Sequence, residues 1–385
     1  MRQSTPGSLT RAIGLMSGTS ADGVDVAWLA SDGLSIAETG PFESYPFEDG
    51  ERARILAAMG DAAPGPGAVR AVTEAHARAV EAFLSAHPDL RGRTDVIGFH
   101  GQTTFHDPDN RRTVQIGDAE ALAEATGIPV VHDFRSADVA AGGQGAPLAP
   151  LYHLALAEGL TQPLAVLNLG GVGNVTWIGP QAPPMAFDTG PANALIDDWM
   201  AAGSGERFDA DGRTAASGRV DRSRLDAWLG HSYFGRKPPK SLDRNGFTAS
   251  VDGMSLADGA ATLAAFTVES VALALVHMPA PPVRWLVTGG GRHNRHIMSG
   301  LAQRLGAPVV PVEAVGWNGD ALEAQAFAFL AVRSLRGLPL SLPSTTGVPR
   351  PMPGGRLVQP PASASERRPS TYLPTSPSTS SSSFS

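Results

Sequence analysis

At 385 residues, with hydrophobic side chains at 42% and charged ones at 17%, the chain exceeds what one core ordinarily serves, so two lobes flanking a cleft are expected. A formal net charge of −7 without any Lys/Arg run argues against a nucleic-acid surface, because attraction to phosphate backbones needs a basic stripe. The lack of cysteine removes disulfides, thiolate chemistry, iron–sulfur clusters and Cys-ligated zinc, leaving oxygen and nitrogen groups to do any chemistry.

The start of the chain, MRQSTPGSLTRAIGLM, has no apolar stretch behind a basic head, so it does not read as a secretion signal. The most apolar helical stretch, residues 260–278, contains Glu269 and His277 and reads as short of a clean span of about 20 residues. A cytoplasmic protein without a membrane partner is expected.

In chain order, residues 12–16 and 24–30 suit strands, and Ser-Gly-Thr-Ser-Ala-Asp-Gly joins them as a hairpin with a polar, glycine-rich turn. Residues 68–86 are helical by spacing, and 95–99 form a short buried strand ending at His100-Gly101-Gln102-Thr103. Residues 113–116 form another strand. Asp118 then caps a helix to Thr126 that Gly127 and Pro129 stop. Residues 130–131 lead into a polar segment, 132–145.

The apolar run 164–169 meets Gly170-Gly171-Val172-Gly173-Asn174 and continues through 175–178, a second copy of the first hairpin. A strand at 185–187 is followed by Asp188-Thr189-Gly190-Pro191, which is expected to open a helix to about 200 with Pro191 in its first position. The strand 284–288 runs into Gly289-Gly290-Gly291 and a helix over 293–305, and 321–335 reads as the last helix.

Alternating strands and helices with a few hairpins predict an α/β fold with mixed sheets. The expected division is 10–131 for the first lobe and 132–329 for the second, with 330–360 returning to the first. Residues 361–385, rich in Pro and Ser, are expected to be a disordered tail.

Three glycine-rich turns each follow a buried strand, and glycine lets backbone N–H groups approach a phosphate. Any one alone is an ordinary strand connection; the threefold recurrence points to a nucleotide. None is a P-loop, and none opens the first helix of a dinucleotide-binding βαβ unit. In the first turn Thr19 and Ser20 offer hydroxyls, and Asp22 and Asp25 are candidate Mg²⁺ ligands, Asp22 being equally an ordinary turn residue.

Asp188 has two readings. As a catalytic base it stands at a strand end before a helix N-terminus, whose positive end favours the ionised carboxylate; as a structural residue it is the N-cap of that helix. His100, Gln102 and His106 suit a ligand-facing loop, where sugar or structural hydrogen bonding fits the six-residue histidine spacing better than zinc. Arg135 is a clamp for a carboxylate or phosphate, or a surface ion pair. Glu323 is a second acid in the cleft or a first-turn helix charge.

The segments IGLMSGTSADGVDV, GFHGQTTFHDP, TVQIGDAEALAEATGIPVVHDFRSADVAAGGQGAPLAP, LNLGGVGNVTWI, AFDTGPANALIDDW, KPPKSLDRNGF, LVTGGGRHN and ALEAQAFAFLA, in this order, resemble the anhydro-N-acetylmuramic acid kinases of bacterial cell-wall recycling. The resemblance covers about residues 12–358. It implies a two-lobed actin/Hsp70/hexokinase-like (ribonuclease H-like) fold with ATP and Mg²⁺ in the cleft.

It further implies that water opens the 1,6-anhydro ring and that the released O6 is phosphorylated, giving N-acetylmuramic acid 6-phosphate and ADP. Asp188 matches the family's base. Gly18, Thr19, Ser20, Ala21, Asp22, Gly23, Val24 and Asp25 match the first phosphate turn, with Gly170, Gly171, Gly173, Asn174, Gly289, Gly290 and Gly291 completing the nucleotide site. Gln102, Thr103, Arg135, Asn193 and Glu323 match sugar-side positions, and a homodimer is implied. The competing readings are another kinase or phosphatase of the superfamily, and a nucleotide-gated binding protein that phosphorylates no acceptor.

Overall fold

The computed structural model describes residues 8–242 and 247–361; the expected tail beyond Pro361 and the Asp-Arg-Asn-Gly stretch at 243–246 lie outside the described residues. The strands are β1 Thr10–Met16, β2 Gly23–Ser31, β3 Ile36–Pro46, β4 Val96–Phe99, β5 Gln102–Asp107, β6 Arg112–Ile116 and β7 Val130–His132 in the first half. The second half adds β8 Leu164–Leu169, β9 Val172–Ile178, β10 Met185–Pro191, β11 Trp285–Thr288, β12 Val309–Pro311 and β13 Arg356–Val358.

They form two large sheets of the same design, β3-β2-β1-β4-β7-β13 and β10-β9-β8-β11-β12, plus the separate hairpin β5-β6. In both, three antiparallel strands come first and two parallel ones follow: β4 and β7 beside β1, β11 and β12 beside β8. The parallel neighbours need long crossovers, which the helix Pro66–Ala86 and the helical region from Asn193 onward supply. The duplication seen in two hairpins therefore extends to both sheets, and the α/β fold with mixed sheets stands as expected.

The first sheet buries one face against Val72, Val80 and Phe83 of the helix Pro66–Ala86. Its other face receives the helix Leu322–Leu335 directly on Gly14 and Gly98. A Cβ added to Gly14 would lie 1.8 Å from the Ala324 carbonyl oxygen, and one on Gly98 2.2 Å from that of Phe327. Phe329 and Leu330 of this helix share a core with Ala12 and Val96 of the first sheet and Val166 and Leu286 of the second. The chain thus packs on the first sheet with the helix Leu322–Leu335 and ends by pairing β13 with β7.

The stretch Leu256–His277 does have the length and apolar composition of a membrane span, contrary to the sequence reading, and 72% of its most apolar window is buried inside the protein. Its apolar faces are filled by the second sheet and the helices around it.

Two helix starts differ from expectation. Asp188 to Pro191 continue β10 as strand, and the next helix begins at Asn193. After Gly289, a short 3₁₀ turn Gly290–His293 precedes the helix Arg295–Arg304, which Asn294 caps by accepting from the Ile297 N–H at 3.0 Å. By contrast Asp118 caps its helix as read, accepting from the Glu120 and Ala121 N–H groups at 3.0 Å each.

Candidate active site

The first glycine turn links β1 to β2. The Ala21 N–H closes it onto the Gly18 carbonyl at 3.1 Å, and Ala21 itself takes a left-handed conformation, φ +50°. Arg52 braces the turn by donating to the Ala21 carbonyl at 3.0 Å, and the Gln102 amide donates to the Gly18 carbonyl at 3.0 Å. Thr19 and Ser20 are left exposed at its tip.

Gln102 itself is fully buried, and its Oε1 finds no partner among the described residues. It supports the first glycine turn from beneath, with its side chain inside the protein. Thr103 accepts from the Gln115 amide across the β5-β6 hairpin at 3.3 Å.

The two aspartates of this region part company. Asp22 is exposed and ion-paired with Arg207 at 2.8 Å and Arg52 at 3.8 Å. Asp25 lies on β2 opposite Met16 and Ser44. Burial pushes its carboxyl up to about 6; a hydrogen bond from Ser44 opposes this, and the charges of Glu323 and Asp320 add to it. Among the described residues no guanidinium or ammonium pairs with Asp25, and no three acidic or histidine side chains gather to hold a metal by themselves.

The second and third turns pack on each other. The Gly170 carbonyl accepts from the Asn193 N–H at 2.9 Å, the Gly171 carbonyl from Ala192 and Ala194, and the Asn193 side-chain amide donates to the Leu169 carbonyl at 2.8 Å. Asn193 therefore holds the second turn to the following helix. Gly173 and Asn174 pair with Leu169 and Asn168 at the mouth of the β8-β9 hairpin.

Gly289 has φ +77°, and a Cβ there would stand 2.3 Å from Asn168 Oδ1; one on Gly291 would stand 2.6 Å from Leu169 Cβ. Glycine is required at both for the turns to meet. Gly290 lies between them, near Asn193. From Asn168 an amide–carboxylate hydrogen bond of 3.3 Å leads to Glu323. Glu323 opens into the cleft, whose walls displace water and raise its carboxyl above the ordinary range, with Arg135 the main opposing charge.

At Asp188 the sequence reading needs a physical correction. The helix that was to supply a favourable dipole starts five positions later, and its first N–H groups are spent on the Gly170 and Gly171 carbonyls. Asp188 is therefore neither an N-cap nor stabilised as an anion by that helix. It sits on the edge strand β10 just before a bulge that separates it from Gly190, a device that re-aims a side chain. Its Oδ2 accepts from the Leu242 N–H at 2.7 Å. Burial pushes the carboxyl up to about 7, against the lowering effects of the Leu242 hydrogen bond and the charge of Lys240. A carboxylate poised near neutrality can take a proton and release it again.

The sugar-side candidates cluster beyond Glu323. Arg135 Nε donates to His100 Nε2 at 3.0 Å, and its Nη1 to the Gly145 carbonyl at 2.7 Å. Since arginine can only donate, His100 Nε2 is the acceptor and Nδ1 carries the proton shared with the Gly101 carbonyl at 2.7 Å. Burial and the Arg135 charge hold His100 well below its ordinary pKa, so it is neutral. Arg135 is lowered to about 10 by burial, remains charged, and faces Glu323 inside the cleft, which removes the surface ion-pair reading.

His106 bonds Thr113 Oγ1 and the Gln144 carbonyl, both at 2.9 Å. Gln144 Oε1 in turn accepts from Ser241 Oγ at 2.5 Å, next to Leu242. Arg135 and Asp188 are joined through this 144–145 loop.

The sequence model for anhydro-N-acetylmuramic acid kinases matches residues 10–359. The chain belongs to this family. The enzyme of that name from Paramagnetospirillum magneticum is 57% identical over 349 residues, covering 90% of this chain and 98% of the relative. The one from Rhodospirillum rubrum is 58% identical over 352 residues, covering 89% and 93%. Likeness to solved structures is far looser: for a xyloylose kinase from Brucella ovis the TM-score is 0.44 at 15% identity, covering 91% of this chain and 94% of that one.

The structure also ties the candidate residues of this family member to residues that the sequence left without a role: Asn168, Gln144, Tyr233, Lys240 and Leu242. Three of them lie in or beside the segment KPPKSLDRNGF. That segment carried the resemblance, yet nothing in its composition shows that its residues 237–242 fold back along β10.

Proposed function

We propose that this kinase uses ATP to convert 1,6-anhydro-N-acetylmuramic acid to N-acetylmuramic acid 6-phosphate, with Asp188 as general base, in cytoplasmic peptidoglycan recycling. The single observation that carries the assignment of roles is Asp188: a carboxylate pinned by the Leu242 N–H, held near neutrality by burial, and connected through Ser241 and Gln144 to the Arg135 cluster.

In the proposed reaction Asp188 accepts a proton from water as the water oxygen bonds to C1. The C1–O6 bond breaks, and O6 becomes the nucleophile toward the γ-phosphorus while ADP leaves. Arg135, charged and faced by Glu323, suits the substrate's carboxylate. The exposed Thr19 and Ser20, together with the glycine cradle at 289–291, suit the ATP phosphates.

Mg²⁺ commonly takes one or two carboxylates together with substrate phosphates and water, so Asp25, free of cationic partners among the described residues, fits that donor role better than the arginine-paired Asp22. The ion would neutralise phosphate charge. A homodimer belongs to the same proposal and is read by light scattering.

The test is ADP release by the purified protein with Mg²⁺-ATP, with and without 1,6-anhydro-N-acetylmuramic acid, while mass spectrometry follows the sugar. A product heavier by one water and one phosphoryl group is expected. Sugar-independent ADP release with unchanged sugar overturns the proposal.

A further inference from the structure

The chain has only two lysines, Lys237 and Lys240, among its 30 basic residues. Lys240 is buried, at 8% exposure. Its Nζ donates to the Tyr233 carbonyl at 3.1 Å and the Phe234 carbonyl at 3.4 Å and stands 4.5 Å from the centre of the Tyr233 ring. Among the described residues no carboxylate lies within ion-pair distance of it. A buried ammonium served only by neutral acceptors is destabilising unless its charge is used.

The surroundings indicate the use. The segment holding Lys240 closes over the free edge of β10 and grips Asp188 at three points. The Asp188 N–H donates to the Lys240 carbonyl at 3.0 Å, the Asp188 carbonyl accepts from the Tyr233 hydroxyl at 2.7 Å, and the carboxylate accepts from the Leu242 N–H at 2.7 Å. Lys240 ties the two ends of this grip together, because its ammonium binds carbonyls at 233 and 234 while its backbone stands two residues from Leu242.

We propose that Lys240 is a positioning residue for the base, locking the segment 233–242 onto Asp188 and supplying the positive charge that keeps its carboxylate available for proton transfer. This rests on the reading of Asp188 as general base.

Among the described residues, the charged and titratable groups around Asp188 are few. Tyr233 and Lys240 lie on the folded-back segment with exposed Arg236 beyond them, and His277 meets β10 through an edge contact with Phe187. Lys240 is lowered to about 8, by burial first and Arg236 second, with Asp188 opposing, so it is charged where Asp188 titrates. Lysine suits the place better than arginine: a compact point charge on a flexible stem fits between two carbonyls and a ring.

The experiment is the pH profile of anhydro-sugar kinase activity for Lys240→Met and Lys240→Arg. Loss of the cation raises the Asp188 pKa, so the acidic limb of kcat/KM in Lys240→Met is expected to move up by about one pH unit, an about tenfold loss below the limb that recovers at high pH. KM for ATP should stay unchanged, and Lys240→Arg should restore most of the shift. A loss equal at every pH, or none, overturns the proposal.

Should Lys240→Met not fold, the two lysines allow a second reading by ¹³C-lysine NMR. Asp188→Asn should lower the Lys240 titration by about one unit and leave exposed Lys237 in place. An unmoved Lys240 overturns the proposal as well. Full activity of Asp188→Asn would instead sink the general-base reading beneath it.

Discussion

Asp188→Asn should destroy turnover while making the ligand-free protein more stable at alkaline pH. In the folded chain the Asp188 carboxyl is raised from 3.8 to about 7, chiefly by burial. The native state therefore keeps a proton that the unfolded chain has already released between these values. Native stability falls as pH rises through that window, and the penalty is complete above about pH 7.

Three units at about 1.4 kcal/mol each give about 4 kcal/mol. Asp188 is partly exposed, and screening reduces this to roughly 1–3 kcal/mol. Asparagine carries no charge and can still accept the Leu242 N–H through Oδ1. Melting of both proteins without ligand at about pH 5 and about pH 8.5 should show a gap that widens by about 2–4 °C in favour of the variant at the higher pH. Activity at neutral pH should fall by about 10²–10⁴-fold or more. A gap independent of pH, or a variant less stable at alkaline pH, would refute the burial argument; retained activity would refute the role.

Arg135→Ala removes a buried charge and leaves His100 Nε2 without its donor. It should raise KM for the anhydro-sugar by about 100-fold with little change for ATP, as steady-state kinetics with each substrate varied will show. Gly289→Ala forces a side chain into φ +77° and 2.3 Å from Asn168 Oδ1. Calorimetry should find ATP binding weakened by about tenfold or more with sugar binding retained. Gly14→Val drives a side chain into the backbone of the helix Leu322–Leu335, where even a Cβ would lie 1.8 Å from the Ala324 oxygen. A loss above about 3 kcal/mol in denaturant unfolding, or insoluble protein, is expected, and a near-normal transition would contradict the packing.

Much of the scaffold was legible before the structure, because the signals are local. Apolar runs of strand length, a glycine turn after each, Asp118 followed by a helical stretch and Gly127 at its end all act within a few residues of themselves. The repeated hairpin foretold the repeated sheet. Local signals failed at Asp188 to Pro191, where Asp and Pro favour a helix start. There the outer edge of β10 is filled by a distant backbone, and the pairing to β9 and Lys240 holds those residues extended.

The types of residue available for chemistry, the glycine turns and the membership of a kinase family are properties of the sequence alone. Only the tertiary structure decided that Gln102 supports a turn from below, that Asn193 ties two turns together and that Asp22 is taken by arginines. It likewise decided that the Asp188 carboxylate is governed by burial, Lys240 and a peptide N–H rather than a helix dipole. The physical reason is the same in each case. A side chain's charge and hydrogen bonds are set by what reaches it through space, and those partners stand 54, 84 and 185 positions away along the chain for Leu242 on Asp188, Gln102 on Gly18 and Arg207 on Asp22.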